Sequence, residues 1–472
     1  MDHAIVRISS IEIVNYKNVR YGYLDLENSR KPYRANILGL YGQNGSGKTA
    51  LIDALSLLKI ALSGQSVPVW LADFIHVEAE FAKLKFKFSV KNSENTASYL
   101  AVYEFCLRKI PDDGEQNVEQ NLDISQTEKY KAVIFNEILS CSYTSGGVKK
   151  KLLPIVDTTL GDVFGPEVKY NTLVGKDKNI QTDLLVAKKM VAATSRSFIF
   201  SKELLSIVRE NSRDEHYQFL MNALASFGNY GLFVIRTSNT GLISMNALPL
   251  AFKYEKKSLS AIGNLMIPLD RASTIPQEAY HLVERIIADM NIVLSQIVPG
   301  LSITVKNLGT QLDKNGRIGA RIQLVSNKNN KEIPLQYESE GIKKIISILQ
   351  LLIVIYNNPS ITVAIDELDS GVFEYLLGEL LRIIAENGKG QLIFTSHNLR
   401  PLETLDRGFI AFTTTNPDKR YIRMTNVKPN NNLRDFYYRD ILLGEQDEPV
   451  YDMTNNYEIA FAFREAGEVR GS

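Results

Sequence analysis

Four short groups of residues in this chain have types and spacings that can do chemistry. The first is Gly42-Gln43-Asn44-Gly45-Ser46-Gly47-Lys48-Thr49, a complete G-x-x-x-x-G-K-[ST] run. Glycines let successive backbone N–H groups turn inward around a phosphate, and a side chain there would block the approach. A helix that opens at the loop aims the positive end of its dipole at the anion. Gly42, Asn44, Gly45, Ser46 and Gly47 are the expected cradle. Lys48 is expected at a solvent-facing mouth, reaching the β- and γ-phosphates, and the Thr49 hydroxyl is expected on Mg²⁺. The second group, Ile361-Thr362-Val363-Ala364-Ile365-Asp366-Glu367, is a buried-strand pattern that ends in two acids. At the C-terminal edge of a doubly wound sheet, Asp366 would hold the metal and Glu367 would polarise an attacking water.

The third group is Ser396-His397, directly after the apolar run 391–395, where an imidazole can meet the terminal phosphate and sense its loss. The fourth is Ser339-Glu340-Gly341-Ile342-Lys343-Lys344, which opens an apolar helix. A hydroxyl and a glycine at a helix N-terminus make a second anion site, and the same hydroxyl also suits plain capping.

These groups need a scaffold. Residues 5–28 alternate apolar and polar side chains, as half-buried antiparallel strands do. An apolar run over 35–41 leads into the glycine loop, and a helix is expected from 48 to about 62. Strands are expected over 76–90 and 98–108. From about 110 to 330 polar turn clusters separate helical stretches such as 198–209 and 276–297, which reads as a mixed insertion without heptads. Beyond it the pattern predicts helix 341–356, strand 361–365, helix 372–386, strand 391–396, short strands 409–413 and 421–426, a polar loop around 430–432 and a helix over 456–466.

Loop, S-x-G-x-[KR] signature, Asp-Glu strand and histidine, in that order, resemble an ABC-type ATPase, and more closely its SMC-like and OLD/RloA-like branches. Asn15-Tyr16-Lys17-Asn18 is similar to the N-[FY]-[KR]-N/S element of those branches, which implies that Lys17 approaches the nucleotide phosphates. The resemblance covers 1–108 and 331–427. It implies an α/β P-loop fold with N-terminal antiparallel strands, divided into an ATPase lobe (1–109), an inserted region (110–330), a second ATPase lobe (331–428) and a tail (429–472). It also implies ATP and Mg²⁺ as cofactors, with Ser339 and Gly341 completing the site of a second copy in a head-to-tail homodimer. The branch's Q-loop glutamine has no evident match: Gln65 falls too early and Gln116 past the strands. Asp369, after the acid pair, is the residue in position for a dimer contact.

The RloA- and OLD-like likeness implies an ATPase of anti-phage defence. No paired-acid nuclease motif follows His397, so the effector, a nuclease or toxin, is expected on a separate polypeptide. The competing reading is a DNA repair or recombination ATPase, for which the lysine runs 149–151 and 253–257 speak only weakly. A net charge of +1 gives no global drive toward nucleic acid. The N-terminus lacks an apolar signal core and the longest apolar stretch, 345–356, is too short to span a bilayer, so a cytoplasmic location is expected. Cys106 and Cys141 lie in apolar runs without metal-ligand spacing, as buried thiols in a reducing compartment do.

Overall fold

The computed structural model describes residues 4–27, 36–92, 94, 97–112, 130–236, 247–256, 259–312, 316–328, 331–425, 432–444 and 446–468. Two sheets set the architecture. The first is antiparallel with seven strands, in the order Val19–Asp25, Ala4–Tyr16, Phe81–Asn92, Ser98–Pro111, Tyr130–Ser145 and Val148–Lys149, with Leu153–Asp157 also paired to Tyr130–Ser145. Strict alternation drives it: Ala82, Leu84, Phe86, Phe88 and Val90 are buried while the residues between them stay partly exposed.

The second sheet has six strands, in the order Tyr421–Ile422, Ile410–Thr413, Asn36–Tyr41, Gln391–Thr395, Thr362–Ile365 and Leu232–Ile235. Its strands run parallel except for the edge pair that Tyr421–Ile422 makes with Ile410–Thr413. Both of its faces are covered, as near-continuous apolar strands require. Leu38, Leu40, Ala364, Ile393 and Ala411 face one core, shared with the helix Lys48–Leu62 and the antiparallel sheet. Ile37, Tyr41, Val363, Ile365, Leu392 and Phe394 face a second core, formed with the helices Glu340–Asn357, Glu374–Asn387 and Tyr280–Ile297. A smaller four-stranded sheet, Ser273–Pro276, Ile318–Lys328, Leu301–Leu312 and Lys331–Pro334, packs into that second core through Ile275, Ile322 and Leu324.

The stretch 110–330 is woven into both sheets. Tyr130–Ser145 and Leu153–Asp157 extend the antiparallel sheet, and Leu232–Ile235 forms the far edge of the parallel one. One polar cluster is a loop between strands, where Gly146 and Gly147 sit at positive φ between Tyr130–Ser145 and Val148–Lys149, and another, around 174–177, joins the helices Glu167–Leu173 and Lys178–Ala193. Strand Phe81–Asn92 begins five residues later than the expected 76, because His76–Ala79 closes a turn in which the Ala79 N–H donates to His76 O. Helix Lys202–Asn211 starts at its cap Ser201, whose side chain accepts from Leu204 N, rather than at 198. Tyr421–Ile422 ends well short of 426. The expected loop at 430–432 and the side chains of the lysine run 253–257 lie largely outside what is described. No helix among the described residues is long and apolar enough to cross a membrane.

Candidate nucleotide site

Strand Asn36–Tyr41 is buried throughout and delivers the loop Gly42–Thr49 at its C-terminal end. Gly42 has φ 148, and a Cβ built on it would stand 1.8 Å from Thr413 Oγ1, so only glycine fits between the loop and the neighbouring strand. Gly47 caps the helix Lys48–Leu62 in the left-handed region with no side chain satisfying the first N–H groups, which leaves the helix end open to an anion. The rest of the loop is clamped. Ser46 Oγ donates to Gln43 O at 2.6 Å and also contacts the Thr413 hydroxyl. Tyr421 OH donates to Gly47 O at 3.0 Å, the Asn18 amide donates to Gly45 O, and Gln43 Oε1 accepts from Asp452 N at 2.9 Å. Asn44 and Gly45 form the exposed lip.

Lys48 is not at a solvent-facing mouth. It is 7% exposed, and its Nζ donates to Gly42 O at 2.7 Å and Gln43 O at 2.9 Å. Burial pushes its ammonium down to about 8, against the upward pull of Asp366, Glu367 and Asp369. The ammonium folds back onto its own loop, so the side chain is covered while the helix end stays open.

The acid pair ends strand Thr362–Ile365 two positions across from the loop strand, with Gln391–Thr395 between them. Thr395 organises the row. Its Oγ1 donates to Asp366 Oδ1 at 2.6 Å and accepts the Glu367 N–H at 2.8 Å. Thr49 Oγ1 reaches the same Asp366 Oδ1 at 3.4 Å. Asp366 is 2% exposed, and Glu367 sits at φ 48, a left-handed conformation that costs a non-glycine residue about 1–2 kcal/mol. Lys344, 3% exposed, comes in from the signature helix and donates from Nζ to Glu367 O at 3.4 Å. His397 is exposed, and its backbone rather than its ring is fixed: Asp369 Oδ2 accepts from the N–H groups of His397 at 3.0 Å and Asn398 at 2.9 Å. Asp369 therefore latches the histidine loop within its own chain.

Ser339 caps the helix Glu340–Asn357, its Oγ accepting from Ile342 N at 3.3 Å. At Gly341 a Cβ would lie 2.5 Å from Gly371 O, so the signature helix can meet the tract after the acid pair only through a glycine. Among the described residues no hydrogen bond or ion pair joins Ser339 or Gly341 to the loop Gly42–Thr49. Ser339 remains exposed.

Lys17 points elsewhere than the resemblance implies. Its Nζ pairs with Asp53 on the phosphate-loop helix and lies 4.0 Å from the centre of the Phe74 ring. Asp53 is fully buried and also pairs with Arg236, 2.7 Å away. Burial pushes the Asp53 carboxyl up, and the two cations pull it back. A lone acid inside the apolar run 50–58 signals a buried charge that needs a cation, but nothing in the sequence points to Arg236. Thr395 and Thr413 are other site residues the sequence did not single out; Asn18 was named only as the last residue of the Asn15–Asn18 element. Gln65 is exposed just beyond the helix, and Gln116 lies outside the described residues.

A glycine loop on a central parallel strand, the histidine strand beside it, the acid-pair strand next, and an antiparallel sheet packed against the loop's helix make an α/β fold with the layout of a P-loop nucleotide-binding protein. Residues 239–403 match the family model described as "AAA domain, putative AbiEii toxin, Type IV TA system", a span that takes in the signature, the acid pair and His397 but begins past the phosphate loop. Among solved structures, the chain is similar to an SMC head bound to the C-terminal winged-helix domain of ScpA, at 10% identity and TM-score 0.39, covering 89% of this chain and 98% of that one. It is similar to the SMC head domain from Thermotoga maritima, at 14% identity and TM-score 0.34, covering 89% and 99%. It is also similar to the recombination mediator RecF, at 13% identity and TM-score 0.35, covering 89% and 98%. No curated protein matches the chain in sequence.

Proposed function

We propose that this chain is an ATP-binding and ATP-hydrolysing switch that works as a head-to-tail homodimer. The observation that carries the reading is the row Thr49–Asp366–Thr395–Glu367, in which one threonine hydroxyl holds both the metal-side acid and the backbone of the water-side acid. A hydroxyl and a single carboxylate suit Mg²⁺, which keeps several waters and takes its remaining oxygens from phosphate. When bound, that ion would neutralise charge on the β- and γ-phosphates. The N–H groups of Gly42, Asn44, Gly45, Ser46 and Gly47 cradle the phosphates, and Lys48 exchanges its two carbonyl partners for phosphate oxygens. Thr49 and Asp366 hold the ion. Glu367 orients and polarises water, and His397 faces the γ-phosphate. Ser339, exposed at a helix N-terminus, and the half-buried Gly341 beside it serve the loop of the partner copy.

The switch acts in anti-phage defence, controlling a separate nuclease or toxin; the toxin–antitoxin wording of the matched family supports this role. The DNA repair reading draws on the exposed Lys149, Lys150 and Lys151. ATPase stimulation by duplex DNA would favour repair, and loss of plaque protection in Lys48→Ala cells would favour defence.

Mixing two dead variants tests the composite site. Lys48→Ala breaks the phosphate loop, and Ser339→Arg blocks the signature. Each homodimer is inactive, since every site contains one broken half. A mixed dimer has one intact site of two, and free exchange makes about half the dimers mixed. Activity should recover to roughly a quarter of wild type for independent sites. No recovery, with exchange shown separately, refutes the head-to-tail dimer.

A further inference from the structure

The helix Asn456–Glu468 stands in the open among the described residues: every residue from Asp452 to Gly467 is exposed. Its apolar side chains are large. Tyr457 is 90% exposed, Phe461 66% and Phe463 78%. They form two i,i+4 stripes, Tyr457/Phe461 and Ile459/Phe463, on roughly opposite faces, with Glu458 and Glu465 along an edge between them. A helix that is apolar on two sides is built to lie between two surfaces, not on one.

The place where this helix starts narrows the choice of surfaces. The segment before it is pinned beside the phosphate loop: Val450 is buried, Thr415 N donates to Pro449 O, and Asp452 N donates to Gln43 Oε1 of the loop itself. Five residues of chain reach at most about 18 Å, so Tyr457 emerges next to the nucleotide site. The other half of the proposed composite site carries a matching apolar patch. Tyr337 is 72% exposed, Phe373 73% and Tyr375 56%. Tyr337 stands two residues before Ser339, and Phe373 two after Gly371, whose carbonyl abuts Gly341.

We propose that the helix Asn456–Glu468 is an exchanged arm that docks on the Tyr337/Phe373/Tyr375 patch of a second copy of this chain. The inference rests on the head-to-tail reading, in which each phosphate loop faces the partner's signature. Each arm then starts at one half of a site and each patch surrounds the other half, so two-fold symmetry makes the contact twice and closes it. The Ile459/Phe463 stripe covers the partner's patch, and the Tyr457/Phe461 stripe faces back across the interface. At roughly 200 Å² for each fully exposed aromatic, the two contacts bury on the order of 1,700 Å², the size of a stable interface.

Paired cysteines test the arm. Phe463→Cys and Phe373→Cys are placed together in Glu367→Gln protein with ATP and treated with a short bis-maleimide; Cys106 and Cys141 are buried and stay silent. A covalent dimer that needs both new cysteines is the expected result. A link within one chain, or a dimer seen by light scattering that does not crosslink, overturns the arm and leaves the dimer standing. No dimer at all overturns both. Independently, Tyr457→Ser/Phe461→Ser/Phe463→Ser alters only exposed positions and should weaken ATP-dependent dimerisation at least about tenfold while monomer affinity for ATP is unchanged. An unaltered dimer constant, or dimerisation unchanged while a co-purified protein is lost, refutes a second copy as the occupant.

Discussion

The buried state of Lys48 makes the site's ATP affinity depend on pH in a way that can be worked out. Its ammonium is pushed from the ordinary 10.5 down to about 8, chiefly by burial. A phosphate in the cradle favours the charged form, so binding must recruit a proton wherever the free protein has lost it. Between pH 7 and pH 9 the charged fraction falls about tenfold, and the ATP dissociation constant should rise by the same factor, ~1.4 kcal/mol. Calorimetry in buffers of different ionisation enthalpy should show uptake of about half a proton at pH 8 and close to one at pH 9. Lys48→Arg keeps its charge throughout and should flatten both curves. The sign for folding is opposite. The folded value lies below the unfolded one, so below about pH 8 the lysine is charged in both states and its burial opposes folding. That penalty fades as the pH rises from about 8 through 10.5. It amounts to about 3 kcal/mol at pH 7, offset by about 1–3 kcal/mol when Gly42 O loses its donor. Nucleotide-free Lys48→Met should therefore melt at or slightly above wild type at pH 7, lose that margin toward pH 10, and show no upward shift with ATP. A wild-type affinity that is flat from pH 7 to 9, or an equal slope in Lys48→Arg, would sink the reasoning.

The other tests address the acid row and the signature. Glu367→Gln should bind ATP yet turn over about 10²–10⁴-fold more slowly, because an amide cannot take the water's proton; light scattering should show an ATP-dependent larger species, and unchanged turnover counts against Glu367 as the base. Thr395→Val leaves Asp366 Oδ1 and the Glu367 N–H without their shared hydroxyl. It should lower stability by about 1–3 kcal/mol and raise the Mg²⁺ needed for half-maximal activity, with Thr395→Ser restoring both; a Mg²⁺ requirement that stays put refutes the link. Gly341→Ala puts a Cβ 2.5 Å from Gly371 O, so ATPase activity should fall severalfold while monomer ATP binding, followed by a fluorescent analogue, is preserved. Weakened monomer binding would show that Gly341 serves its own chain's loop instead.

The turns, strand ends and cap that carry the candidate groups were legible in the sequence because each is local. A glycine loop after an apolar run, two acids at the end of another, and a serine three residues before the N–H it caps are all written within a dozen residues. What could not be read is what depends on contacts far apart in the chain. Lys17 carries the right motif, but its direction is set by Asp53 on the loop's helix and by Arg236 at the end of the parallel sheet's edge strand. The burial of Lys48 depends on its ammonium folding back onto Gly42 O and Gln43 O of its own loop, which no motif encodes. The stretch 110–330 looked like an inserted region because its polar clusters are frequent. Such clusters mark turns, and turns occur both inside a sheet and between domains; only the pairing of Tyr130–Ser145 with Ser98–Pro111 decides between the two.

Ser339 caps its helix, and the binding role proposed for it does not compete with that cap. Its Oγ accepts a single N–H within its own helix, at 3.3 Å. A serine hydroxyl also has a proton to donate, and capping leaves that proton free for an acceptor outside the chain. The N–H groups of Glu340 and Gly341 lie in the same first turn, which has no intrahelical acceptors. Glu340 is paired with Lys343, which offsets the negative charge nearest that turn. An anion brought by a second copy would therefore meet one hydroxyl donor and a positive helix end, without displacing the cap that holds the helix in place.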